Sequence, residues 1–188
     1  MAISAVAYGI YLWQTAKKGG VQPHPFSWFL WGLVTAVAYL VQQSQGGGPG
    51  SWVSGFTSVV CFVIGGLTLA KHRWRFSWFD WFCLGAGFLV YAFYLLAKDP
   101  TQSALLATGT DVLGYGSTIR KGWIEPHKDS ATSFALNGVK FVPALFALES
   151  YSVATWLYPA TLVAVNGAVA LMLLVRRWSQ QCSTPSQT

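Results

Sequence analysis

From Phe26 to Gln42, and again from Trp52 to Ala70, the chain carries no charged side chain. Uncharged stretches of this length leave few folds open, because about 20 apolar residues carry a helix across the hydrocarbon core of a bilayer. Seven apolar runs separate short polar clusters: Ala2–Ala16, Phe26–Gln42, Trp52–Ala70, Phe76–Ala97, Thr101–Ile119, Ala131–Leu148 and Val153–Val175. Spanning strands would have to close into a barrel and would alternate apolar with polar residues, and these runs do not alternate. The expected fold is an all-α membrane protein with seven transmembrane helices. Only 10% of the residues are charged, against roughly 25% in soluble domains, so no soluble domain is expected beside the membrane part.

Charge placement gives the orientation. Lys17, Lys18, Lys71, Arg73, Arg75, Arg120, Lys121, Lys128, Arg176 and Arg177 fall in the loops and flank of one side, and Lys98 alone falls on the other. Basic loops stay in the cytoplasm, which puts the N-terminus outside and the C-terminus inside, in a plasma (inner) membrane. The net charge of +6 follows from this asymmetry and needs no nucleic-acid partner; it suits an anionic inner leaflet instead. The first run is read as a span and not as a signal peptide, because Lys17 and Lys18 follow it where a signal peptide carries its positive charge in front. Cys61, Cys83 and Cys182 form neither a metal-ligand spacing nor a disulfide framework, and neither metal nor cofactor is expected.

The polar clusters repeat. KKGGVQPHP, Lys17 to Pro25, returns as RKGWIEPHK, Arg120 to Lys128. The match extends: Ser27-Trp28, Leu30 and Gly32 fall on Ser133-Phe134, Leu136 and Gly138, while Trp52, Thr57, Arg73 and Trp74 fall on Trp156, Thr161, Arg177 and Trp178. The first three spans therefore match the last three, and the odd fourth span lets both copies sit in one orientation, as parallel repeats do. The expected divisions are a first three-helix bundle over 1–75, a linker helix over 76–99, a second bundle over 100–178 and a polar tail over 179–188.

A three-helix unit, one linker helix and a second three-helix unit resemble the SWEET and PQ-loop superfamily of small transporters. The local pattern is similar too, with Trp13-Gln14, Lys17-Lys18 and Ser27 in one copy and Gly116-Ser117, Arg120-Lys121 and Ser133 in the other, although Trp13 and Gly116 stand where that family has Pro. The resemblance implies a carrier for a small polar solute, sugar-like or another small metabolite, working by alternating access. An Asn on the third helix of a repeat and a Trp on the second line the cavity in that family, which marks Trp31, Phe62, Asn137 and Asn166 as the substrate-binding set. An indole offers a flat face and an amide both a donor and an acceptor. Gln14 is expected at the cytoplasmic gate and Pro143 at a hinge. The same architecture also serves a non-transporting receptor or membrane assembly module, and that alternative stays open, as does monomer against homo-oligomer.

Intramembrane charges mark function by default. Asp111 and Lys140 stand near the middle of the fifth and sixth spans, and an ion pair between them is expected, either coupled to transport or serving as a static strut. The repeat puts Tyr8 and Val34 at the equivalent positions, so the pair would occur once. No set of acid, base and nucleophile is recognisable, so an enzyme is not expected. The Gly-rich stretch QQSQGGGPGS, Gln42 to Ser51, reads as a flexible external connector, and WRFSWFDWF, Trp74 to Phe82, as an interfacial aromatic belt.

Overall fold

The computed structural model describes residues 8, 9, 13, 25–71, 78–97, 99–124, 126–128 and 130–182. Their regular structure is helical throughout: α1 (Pro25–Ser44), α2 (Trp52–Lys71), α3 (Trp78–Ala97), α4 (Pro100–Ile124), α5 (Ala131–Val139), α6 (Phe141–Phe146) and α7 (Val153–Cys182), with 3-10 turns at Gly48–Ser51 and Pro126–Lys128. Among the described residues three segments, Pro25–Ser44, Gly48–Ala70 and Val153–Gln180, are long and apolar enough to cross a membrane. Of the first expected span only Tyr8, Gly9 and Trp13 lie among the described residues, and Gln14 lies outside them.

The helix ends follow local chemistry. Asp99 caps α4, its Oδ1 accepting from the backbone N–H groups of Thr101 at 2.9 Å and Gln102 at 3.0 Å, with Pro100 in the first position where no N–H is missed. Ser130 caps α5 by accepting from Ser133 N at 3.2 Å. The sixth expected span is divided in two at Lys140, three residues before Pro143. Pro143 lacks the N–H that would bond the Val139 carbonyl and its ring crowds that carbonyl, which is why one apolar run becomes two helices.

α1 sits centrally, packed on α2, α3, α4 and, more lightly, α7, while α4, α5 and α6 pack on α7. Two glycines of the repeat make equivalent close approaches. A Cβ on Gly32 would meet the Phe62 ring at 3.1 Å, and one on Gly138 would meet Asn166 Cβ at 3.2 Å. At one end of the bundle the Phe26 ring packs against Trp81 at 5.0 Å, Arg176 Nε donates to the Trp123 carbonyl at 3.2 Å and Arg177 Nε to the Pro126 carbonyl at 3.0 Å. The basic clusters that the described helices carry lie at this end.

The opposite end corrects one expectation. The Gly-rich connector forms a bonded turn: Gly47 N–H donates to the Gln42 carbonyl at 2.7 Å, Gly50 N–H to the Ala147 carbonyl at 3.0 Å, and Glu149 N–H to the Gly47 carbonyl at 3.4 Å. Gly50 and Ser51 are buried. Glycine serves here for close approach, since a Cβ on Gly50 would stand 2.5 Å from the Ala144 oxygen. The connector thus joins α1 and α2 to the end of α6.

Candidate functional site

Some buried polar side chains, such as Gln42, Ser51 and Ser54, belong to the connector end, and others gather in a layer across the middle of the bundle. On α4, Asp111 and Tyr115 are four residues apart and so share one face; on α7, Tyr158 and Asn166 are two helical repeats apart and share another. α1 adds Trp31 and Thr35, α2 adds Thr57, and Lys140 enters from the α5–α6 break. Asp111 is 3% exposed and Lys140 1%.

The Lys140 ammonium donates to the Tyr8 hydroxyl at 2.5 Å and to Thr57 Oγ1 at 3.1 Å. Thr57 in turn donates to the Val53 carbonyl at 2.7 Å, so its lone pairs face the amine. The expected ion pair is therefore replaced: Lys140 is held by two hydroxyls from the first half of the chain and makes no direct bond to Asp111. The reason lies in the break before Pro143, where Lys140 leaves α5 in the direction of α2 and Tyr8.

Asp111 is poorly served. Its Oδ2 is buried with no hydrogen-bond partner among the described residues. The Tyr158 hydroxyl stands beside the carboxyl, yet the same oxygen lies 3.0 Å from Thr35 Oγ1. Thr35 places its own proton on the Trp31 carbonyl, so Tyr158 has one proton for two acceptors. Trp31 Nε1 and Thr108 Oγ1 are likewise buried without a partner.

Towards the basic end the layer is bounded by amides and rings. Asn137 Nδ2 donates to Asn166 Oδ1 at 3.0 Å, Asn166 Nδ2 donates to the Leu162 carbonyl at 2.8 Å, and the Tyr115 hydroxyl stands at this amide pair. Ring contacts then run from Trp28 to Trp31 at 5.5 Å, from Trp31 to Tyr115 at 6.0 Å and from Tyr115 to Phe134 at 6.5 Å, linking α1, α4 and α5. Trp31, Asn137 and Asn166 thus meet around Tyr115.

Phe62 does not join them. Its ring packs on Phe29 and over Gly32 and is 37% exposed, because the buried face of α2 runs through Thr57, Cys61, Ile64 and Thr68, and position 62 is turned about 100° from position 61. Sequence reasoning missed Tyr8, Thr35, Thr57, Tyr115 and Tyr158. Tyr115 carries a signal in its helical spacing from Asp111 and Tyr8 one in its repeat position, whereas Thr35 and Thr57 stand in runs without any charged position.

Among the described residues no three His, Cys, Asp or Glu side chains come together as a metal site. Two surface pockets, one lined by Ser44, Gln45, Tyr94, Leu95 and Pro100 and the other by Leu145, Phe146, Tyr151 and Trp156, lie at the end away from the basic clusters and do not include the polar layer. They are shallow and lack convergent charge, and Asp111 and Lys140 lie in the buried layer instead. No protein-family model, curated protein or solved structure matches this chain, and the site is read from its own geometry.

Proposed function

We propose that the chain is an integral membrane carrier for a small polar solute, built from two parallel three-helix units joined by the helix that contains Trp78–Ala97. In this reading seven helices cross a plasma (inner) membrane with the N-terminus outside, and the units rock about the polar layer to expose it to each side in turn. The observation that carries it is the unpaired polar chemistry at mid-depth: Asp111 Oδ2 and Trp31 Nε1 are buried without partners, and the buried Lys140 has only hydroxyls as hydrogen-bond acceptors. Polar groups in such a place are costly and mark pathways.

Two further features support the reading. The repeat aligns Gly32 with Gly138 and Phe62 with Asn166, and the contacts Gly32–Phe62 and Gly138–Asn166 are equivalent under that alignment. The resemblance to the SWEET and PQ-loop superfamily supplies the same three-one-three arrangement. Trp31, Asn137, Asn166 and Tyr115 then form the solute face, Lys140 and Asp111 its charged floor, and the Trp28–Trp31–Tyr115–Phe134 rings the closure towards the cytoplasm.

Counterflow in liposomes loaded with unlabelled sugars, amino acids, vitamins or organic anions tests the proposal. The wild-type chain exchanges one labelled solute class, and Lys140→Met exchanges none while keeping a cooperative melting transition. Full exchange by Lys140→Met would remove the polar layer from the pathway. Binding without exchange would favour a receptor of the same architecture.

A further inference from the structure

The short helix α6 is held from both halves of the chain. The first half bonds its two ends: Lys140 at its N-cap donates to Tyr8 and Thr57, and past its last turn the Ala147 carbonyl accepts from Gly50 N–H while Glu149 N–H donates to the Gly47 carbonyl. The second half holds it by apolar packing on α7, where Phe141 and Ala144 share a buried cluster with Tyr158 and Leu162. α5, on the far side of the break, packs on α7. A seam between the halves therefore runs between α6 and α2, and Lys140 crosses it at mid-depth.

The repeat shows what is particular to this position. By the offset that aligns Gly32 with Gly138, Val34 and Val37 stand where the second copy has Lys140 and Pro143, and α1 runs through both without a break. In the second copy the helix parts, and the Lys140 amine, 1% exposed, also lies 4.2 Å from the centre of the Tyr8 ring and 4.9 Å from that of Phe141. A buried amine is costly unless acceptors meet its N–H groups, so Tyr8 and Thr57 fix where α6 begins. We propose that Lys140 is a latch: its bonds to Tyr8 and Thr57 hold the α5–α6 break against α2, and when they part α6 swings away from α2 with the break as its joint. Cys61 is a natural sentinel for that motion. It lies four residues after Thr57 on the same face of α2, is 3% exposed, is in no disulfide and packs in one apolar cluster with Tyr8. Its reactivity reads the seam whether or not a solute crosses the membrane, so the latch and the carrier reading fail separately.

The test is alkylation of Cys61 by N-ethylmaleimide in the purified full-length chain, followed by peptide mass spectrometry so that Cys83 and Cys182 are counted apart. Wild-type labelling is expected to be slow and insensitive to low urea, as for a local opening. Tyr8→Phe and Thr57→Val each remove one acceptor and keep most of the side chain; each should speed labelling on the order of tenfold, the effect of losing one buried hydrogen bond. Lys140→Met removes the donor to both, so adding Tyr8→Phe to it should change nothing further. Ser58→Ala is the control, because it deletes a comparably buried bond, to the Gly32 carbonyl at 2.8 Å, that lies wholly within the first half; labelling should stay near wild type. Where Lys140→Met does not fold, the two hydroxyl variants and the control decide. Unchanged labelling in both Tyr8→Phe and Thr57→Val would overturn the latch. Ser58→Ala matching their effect would overturn it too, by reducing it to general loosening. So would wild-type labelling that follows global unfolding across urea, since Cys61 would then be exposed only by unfolding.

Discussion

Replacing Gly50 by Ala places a methyl group where three backbone atoms already stand. The new Cβ would lie 2.5 Å from the Ala144 oxygen, 2.7 Å from Leu148 N and 2.9 Å from the Ala147 carbonyl carbon. None of these is the free end of a side chain, so the connector must move away from α6. Overpacking of a tight site costs about 1–3 kcal/mol. The movement also stretches the Gly50 N–H bond to the Ala147 carbonyl, now 3.0 Å, whose loss costs about 0.5–1.5 kcal/mol more. A destabilisation of about 2–4 kcal/mol follows, and for a chain of this size it lowers the melting temperature by roughly 5–15 °C. Thermal unfolding of the purified protein in detergent reads this directly. Gly66→Ala is the internal control: nothing stands within 4 Å of its Cβ, and Ala is the better helix former by up to about 1 kcal/mol, so this variant should melt no lower than wild type. Equal melting of Gly50→Ala and wild type would refute the close approach, and with it the tie between the connector and α6.

The Asn137–Asn166 bond should appear in a double-mutant cycle to Ala as a coupling of about 0.6–2 kcal/mol in thermal stability, and strictly additive single effects would show that the amides do not bond. Pro143→Ala returns an N–H to the Val139 carbonyl and lets α5 run on into α6, so stability should hold or rise while exchange in counterflow slows at least severalfold; unchanged exchange would take the break at Lys140 out of the transport cycle.

Much of the helical layout was legible because uncharged runs announce their own ends. Phe26–Gln42 and Trp52–Ala70 correspond to α1 and α2 within two residues, and Val153 opens α7 as expected. α4 and α7 extend beyond Ile119 and Val175 since a helix continues through polar residues once its backbone bonds propagate, and hydrophobicity does not record that. The connector at residues 42–51 misled because composition cannot distinguish a glycine used for freedom from one used for contact. In the site, Asp111, Lys140, Asn137 and Asn166 stood out as strongly polar residues in apolar runs. Tyr8, Thr35, Thr57, Tyr115 and Tyr158 did not, since hydroxyl residues are common in such helices and acquire meaning only once a face is known. Phe62 was assigned through its repeat position, and alignment carries no information about which way a helix face turns.

The near-isolation of Asp111 also bears on biosynthesis, where its consequence is one of timing. Asp111 sits near the middle of the 25-residue α4, a helix rich in Thr, Gly and Ser that falls outside the three segments apolar enough to cross a membrane unaided. An Asp at the centre of an inserting helix costs about 2.5–3.5 kcal/mol. Tyr158, whose hydroxyl stands beside it, and Lys140 are made later, so a nascent chain passes through an interval in which the acid exists and its surroundings do not. In the proposed seven-span reading, α4 gains little during that interval from entering the bilayer alone, and its insertion becomes cooperative with the arrival of α5 to α7. On that reading, a chain released between Asp111 and Tyr158 would carry the acid without the groups that surround it in the folded protein, and α4 would be its least stably inserted helix.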